Sequence, residues 1–186
     1  MKIQTTDNIT PFKANPGQNI LYQVEQEFNG NKIKIEKFMQ LFQDSFKRLD
    51  TNTIVDMDKY GNYRISHKNF PGILIKKNLK TNPQTIFAKK VLNTCEANLL
   101  RMEENLLKKV ISVLVNSGKD FEEISNIGLN RLDRGYLKSE FLKLIDIAKR
   151  IKEKNPQSRL TLKDFYYEKV LKEQEELHKL WNIEHP

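Results

Sequence analysis

Glu175 and His178 are three residues apart, so on a helix they would share one face. A Glu-x-x-His pair of this kind ligates metal in carboxylate-bridged helical bundles, but such centres need a second pair and further carboxylates. The sequence holds no second Glu-x-x-His, and the pair is expected to be a surface pair. Cys95, the single cysteine, falls within an apolar helical series, which reads as a buried, inert thiol. As a nucleophile it would need a His and an acid brought close by the fold, and His67 is the one central His. The run Asp56-Met57-Asp58-Lys59-Tyr60-Gly61 starts like a calcium loop but reaches His67 where a bidentate Glu is required. If Gly135 takes the glycine place of a second such loop, Asn130, Leu132 and Arg134 fall on the first ligand places and Phe141 on the Glu place. Neither segment is expected to hold calcium. There is no Gly-rich phosphate loop, no Ser elbow and no metal-spaced Cys or His cluster. No metal or other cofactor is expected, and no catalytic motif argues for an enzyme.

Charge placement is more informative. The chain carries 32 Lys and Arg against 24 Asp and Glu, a formal charge of +8. Lys59, Arg64, Lys68, Lys76, Lys77, Lys80, Lys89 and Lys90 lie in a stretch from Lys59 to Cys95 that contains no acid. With those eight set aside the rest of the chain is neutral, so the entire excess sits in this stretch. Tyr60 and Tyr63, with His67 and Phe70, are interleaved with it. Basic residues with aromatics can neutralise phosphates and stack bases. They can equally form a surface for an acidic protein, or a solvated face whose lysines guard a sheet edge.

The elements that must carry these residues follow from periodicity. Thr53 to Asp58, Asn62 to Lys68 and Ile73 to Lys77 read as a small antiparallel meander, with turns at Lys59–Asn62 and Pro71-Gly72. This pairing would bring Arg64 and Lys68 near Lys76 and leave Tyr60 and Tyr63 at or beside a turn. From Pro83 to Asn116, apolar residues recur at three- and four-residue steps through Leu92, Cys95, Leu99, Met102, Leu106 and Val113. The expectation is one long helix, starting at Asn82-Pro83 and ending at Ser117-Gly118.

Upstream, Tyr22, Val24 and Phe28 before Asn29-Gly30, with Ile33 and Ile35 after it, suggest a hairpin over residues 19–36. A helix over 18–28 is the competing reading. Ile35, Phe38, Met39, Phe42, Phe46 and Leu49 mark a helix over about residues 36–49. Downstream, Asp120 and Glu123 form a capping box for a short helix ending near Asn126, with Gly128 and Gly135 in a loop. Helices over 136–154 and from about Thr161 onward complete a bundle, the last with Phe165, Tyr166, Val170, Leu177, Leu180 and Trp181 on its apolar side.

The expected fold is α+β and predominantly helical, a small antiparallel hairpin or meander followed by a helical bundle built on one long helix. The expected organisation is a flexible leader over 1–18, an α+β part over 19–80 and a helical part over 83–183. One cysteine points to no disulfide framework, and no apolar run approaches the roughly 18 residues of a membrane span. With no signal-peptide core at the N-terminus, a cytoplasmic protein, monomeric rather than dimeric, is expected. The leading functional expectation is a non-enzymatic interaction protein using the basic stretch 59–95 to hold a protein partner. A nucleic-acid-binding module using the same surface is the alternative, and an enzyme with a site assembled from scattered residues is the third.

Overall fold

The computed structural model describes residues 14–184. The fold is predominantly helical α+β, with seven helices and a four-stranded sheet among the described residues. Most of the expected leader, with Phe12, lies outside the described residues. Its last residues are placed: Asn15–Pro16 form β1, which pairs in parallel with β2 (Thr53–Met57), and Ala14 is buried. The backbone divides into two compact units, residues 1–103 and 104–186.

In the first unit, α1 (Gln18–Glu27) and α2 (Lys32–Ser45) occupy the segment expected as a hairpin. Asn29-Gly30 does reverse the chain, but as a helix stop. Asn29 takes φ 49°, its N–H donates to the Gln26 carbonyl at 3.2 Å, and the Gly30 N–H donates to the Glu25 carbonyl at 3.0 Å. That is the double bond pattern of a Schellman cap. Asn31 then caps α2, its side chain accepting from the Lys34 N–H at 3.2 Å. At the other end of α1 the cap position is Gly17, which has no side chain to offer. Asp56 on β2 supplies the acceptor, taking bonds from the Ile20 N–H at 3.1 Å and the Asn19 amide at 3.0 Å.

The meander forms as β2, β3 (Asn62–His67) and β4 (Phe70–Asn78), in sheet order β1-β2-β3-β4. Val55 opposes Ile65, which opposes Ile75, and Asp56 opposes Arg64, which opposes Lys76. One face buries Val55, Met57, Tyr63 and Ile65. Phe38, Phe42, Phe46 and Leu49 are buried as their spacing implies, and the Phe42 and Phe46 rings meet edge-on at 4.8 Å. Burial of each such side chain is worth about 1.5–3 kcal/mol.

The single long helix expected from Pro83 to Asn116 is two helices, α3 (Phe87–Leu92) and α4 (Glu96–Asn116). Asn82-Pro83 makes a turn instead of a helix start, with Thr85 N–H donating to the Asn82 carbonyl at 3.2 Å. The Ala88 N–H of α3 is met by the Glu27 carboxylate at 3.1 Å. The break at Asn93-Thr94-Cys95 has a local cause. In a continuous helix the Thr94 N–H would reach the Lys90 carbonyl. That carbonyl accepts from the Tyr63 hydroxyl at 2.9 Å, and the Thr94 N–H turns to Val91 at 3.2 Å. The Thr94 hydroxyl bonds Tyr63 as well, a side-chain competition that Thr and Asn favour near helix ends. Cys95 is therefore exposed at a helix break, and not buried on an apolar stripe.

The second unit holds the rest of α4 with α5 (Phe121–Arg131), α6 (Gly135–Lys154) and α7 (Leu162–Glu184). Asp120 caps α5 through the Glu123 N–H at 2.8 Å, as the sequence implies. The helix runs past Asn126, however, and Gly128 lies inside it, not in a loop. A Cβ at Gly128 would sit 2.1 Å from Cε1 of Phe141 on α6, so glycine is what lets these two helices approach. Leu137, Phe141, Leu144, Ile145, Ala148 and Ile151 form the buried stripe of α6. Lys154 and Arg150 of α6 reach the buried Glu168 of α7, at 2.8 and 3.7 Å. Asn116 locks the approach to α7 by exchanging two 2.9 Å bonds with the Leu160 backbone. Of the expected apolar side of α7, Phe165 is buried, while Tyr166, Leu177, Leu180 and Trp181 are exposed.

Candidate anion-binding surface

The β2–β3 turn starts at Asp58, which stands one residue outside the acid-free stretch. One carboxylate oxygen accepts from the Tyr60 and Asn62 backbone N–H groups, each at 3.0 Å. The other faces Lys76 at 3.2 Å and Arg64 at 3.4 Å, which the register places opposite each other on neighbouring strands. Burial alone would raise the Asp58 carboxyl. The bonds from the Asn62 side chain and backbone, from Lys76 and from the Tyr60 N–H outweigh burial and hold it well below the usual carboxylate range. Asp58 is thus a turn former and an ion-pair partner, and two of the eight basic charges are matched by it.

The other six are dispersed. Lys59 lies over the exposed Tyr60 ring, 5.0 Å from its centre. Lys77 opposes Tyr63 and therefore projects from the opposite face to Lys76. Lys68 sits in the turn between β3 and β4, beyond the end of the strand, so it does not join Arg64 and Lys76 as the meander suggested. Lys80 follows β4, and Lys89 and Lys90 are on α3. Lys59, Lys68, Lys77, Lys80 and Lys89 are exposed, and none has an ion pair among the described residues. Tyr63 is fully buried with its hydroxyl engaged. Burial raises that hydroxyl above its usual range, against a smaller lowering from the Thr94 bond. It cannot stack on a base, and Tyr60 is the exposed member of the pair.

Where β4 gives way to α3 and α4 the chain encloses a cleft of about 270 Å³. Lys80 and Lys90 line it, with Thr81, Thr85, Thr94, Asn82, Asn93, Asn98 and Cys95; among the described residues no Asp or Glu does. The Lys90 ammonium donates to the Pro83 carbonyl at 3.1 Å, which ties the 79–85 loop to α3. The sequence showed the absence of acid here. The gathering of these residues depends on the break between α3 and α4, which periodicity does not reveal.

A second polar group is internal. His67, Asp50, Thr53 and Glu103 are all buried. The His67 Nε2 lies 3.2 Å from Asp50 Oδ1, and Asn69 N–H donates to His67 Nδ1 at 3.2 Å, which fixes the ring as the Nε2–H tautomer. Glu103 accepts from the Thr53 hydroxyl and from the Asp50 N–H. Burial pushes the Glu103 carboxyl above its usual range, with the nearby Asp50 charge in the same direction; the Thr53 and Asp50 bonds act against it. Closed to solvent, the network cannot meet a substrate, and it fixes the relative placement of the residue-50 turn, β3 and α4. Sequence reading missed it because its members are up to 53 residues apart. Glu175 and His178 are exposed on α7, as a surface pair. Among the described residues no cluster of three or more His, Cys, Asp or Glu is arranged to hold a metal, and no helix is long and apolar enough to cross a membrane.

No family model, curated protein or solved structure matches this chain.

Proposed function

We propose that this chain is a non-enzymatic interaction protein that binds an acidic protein partner through the basic stretch 59–95. The observation that supports this reading is the set of exposed cations without ion pairs among the described residues, Lys59, Lys68, Lys77, Lys80 and Lys89, in a stretch whose flanking acids are both engaged, Asp58 by Arg64 and Lys76 and Glu96 by the Arg48 backbone N–H. Unmatched charge of this kind steers and orients an oppositely charged partner. Nucleic acid is the less supported partner, because base stacking needs aromatic faces and Tyr63 is buried.

The experiment is fluorescence anisotropy with a labelled acidic peptide, duplex DNA and single-stranded RNA at two salt concentrations. The acidic peptide is expected to bind, and Lys68→Gln, Lys77→Gln and Lys89→Gln together to weaken it without loss of fold. Absence of binding to every probe at about 50 mM salt removes the reading. Tighter binding to DNA or RNA, with a log–log salt slope of roughly −0.9 per duplex phosphate contact, replaces the protein partner by nucleic acid.

A further inference from the structure

We infer that the cleft between the end of β4 and the start of α4 is a binding site for a phosphate monoester carried on a protein partner. This rests on the reading of the basic stretch as a partner-binding surface, and assigns to one part of it a defined ligand chemistry.

Two cations, Lys80 and Lys90, share a concave site with Thr81, Thr85, Asn82, Asn93 and Asn98 and, among the described residues, no acid; the Thr94 hydroxyl at its edge is spent on Tyr63. Lys80 has no ion pair among the described residues, and Lys90 uses one of its three N–H donors on Pro83, leaving two. The cleft reaches the start of α4, a helix of 21 residues whose N-terminal end favours negative charge, although the Asn98 N–H there already donates to the Cys95 carbonyl at 2.9 Å. The one acid in the first turn of α4, Glu96, does not line the cleft. Its carboxylate accepts from the Arg48 backbone N–H at 2.7 Å. A phosphate monoester brings close to two negative charges and three terminal acceptor oxygens. It therefore matches two ammonium groups plus several neutral donors, where a carboxylate would leave some of them without partners. The volume, about 270 Å³, exceeds what inorganic phosphate alone would fill and leaves room for the side chain that carries it. Tyr63, which bonds the Thr94 hydroxyl, is buried, and among the described residues no aromatic ring lines the cleft for a base.

The test is a backbone amide NMR titration of the full chain with inorganic phosphate, acetate, an acidic phosphoserine peptide and a 5′-phosphorylated oligonucleotide. Phosphate is expected to shift the Thr81, Asn93 and Asn98 amides saturably, with acetate at least about tenfold weaker. Lys80→Gln should weaken phosphate about tenfold, Lys90→Gln likewise, and Lys37→Gln, exposed on α2 and outside the basic stretch, should not. The phosphoserine peptide should bind more tightly than free phosphate. No saturable shift, an equal response to acetate, or an equal loss in Lys37→Gln overturns the inference. Preference for the oligonucleotide over the peptide overturns the protein-borne source. Binding of the non-phosphorylated acidic peptide without phosphate shifts would sink the cleft and leave the broader surface standing. Phosphate shifts without acidic-peptide binding would sink the surface and leave a small-anion site.

Discussion

The Tyr63 hydroxyl, on β3, donates to the Lys90 carbonyl of α3 at 2.9 Å, at the point where α3 stops and α4 has yet to begin. A side chain from the sheet thereby occupies the acceptor that a continuous helix would need. The same contact shapes the cleft, since Lys90, Thr94 and Cys95 line it.

Tyr63→Phe keeps the buried ring and removes the hydroxyl. It is expected to cost about 1–2 kcal/mol in chemical denaturation, the range for losing a partly buried hydrogen bond. In a double-mutant cycle with Thr94→Val the two losses should be non-additive, because both hydroxyls belong to one network. Additive losses would show that Tyr63 and Thr94 act separately, and that the break between the helices has another cause.

What sequence reading could reach follows the range of the forces involved. The α6 stripe, the three strands of the meander and the Phe stripe of α2 are set by periodicity, and the chain places them close to where the pattern does. Asn29-Gly30 was ambiguous because a tight hairpin and a helix stop both need left-handed backbone. The helix break was illegible because its cause, Tyr63, is 27 residues upstream of Lys90. Charge was legible as a total but not as a surface. Asp58 falls just before the acid-free stretch and matches two of its charges, and strand alternation sends Lys76 and Lys77 to opposite faces.

Glu103 gives a pH signature. Its carboxyl is raised in the folded chain, so the unfolded chain ionises first as pH climbs past 4.5. The contribution of Glu103 is therefore full below that pH and lost as pH rises through the folded value. Glu103→Gln retains an oxygen for the Thr53 hydroxyl and the Asp50 N–H but does not titrate. In urea denaturation at stepped pH, stability of the parent relative to this variant should fall as pH rises above 4.5. Parallel curves would mean that Glu103 is ionised without penalty in the folded chain.

Gly128→Ala is expected to destabilise the fold by about 1–3 kcal/mol, the usual cost of overpacking. The added carbon would meet the Phe141 ring at 2.1 Å, on a residue that is fully buried and has little space to retreat. Adding Phe141→Leu should cost less in the Gly128→Ala background than in the parent, since the smaller side chain relieves the overlap. A Gly128→Ala protein as stable as the parent would show that α5 and α6 move apart freely.

Asp58→Asn tests the electrostatics of the turn and of the surface together. The Asp58 carboxyl lies below its ordinary value of 3.8 in the folded chain, so its stabilising contribution is present above that pH and lost as pH falls through the folded value. The variant keeps an oxygen for the Tyr60 and Asn62 N–H groups but loses the charge that faces Arg64 and Lys76. It should melt at a lower temperature than the parent at neutral pH, and the gap should narrow as the parent is acidified below 3.8. At neutral pH, Arg64 and Lys76 would be left without their carboxylate. Anisotropy with the acidic peptide should then show tighter binding than the parent, with a stronger dependence on salt, because two further cations become available to the partner. Unchanged affinity in a folded Asp58→Asn protein would place the partner away from this side of the sheet. It would leave Lys68, Lys77, Lys80 and Lys89 as the residues to vary next.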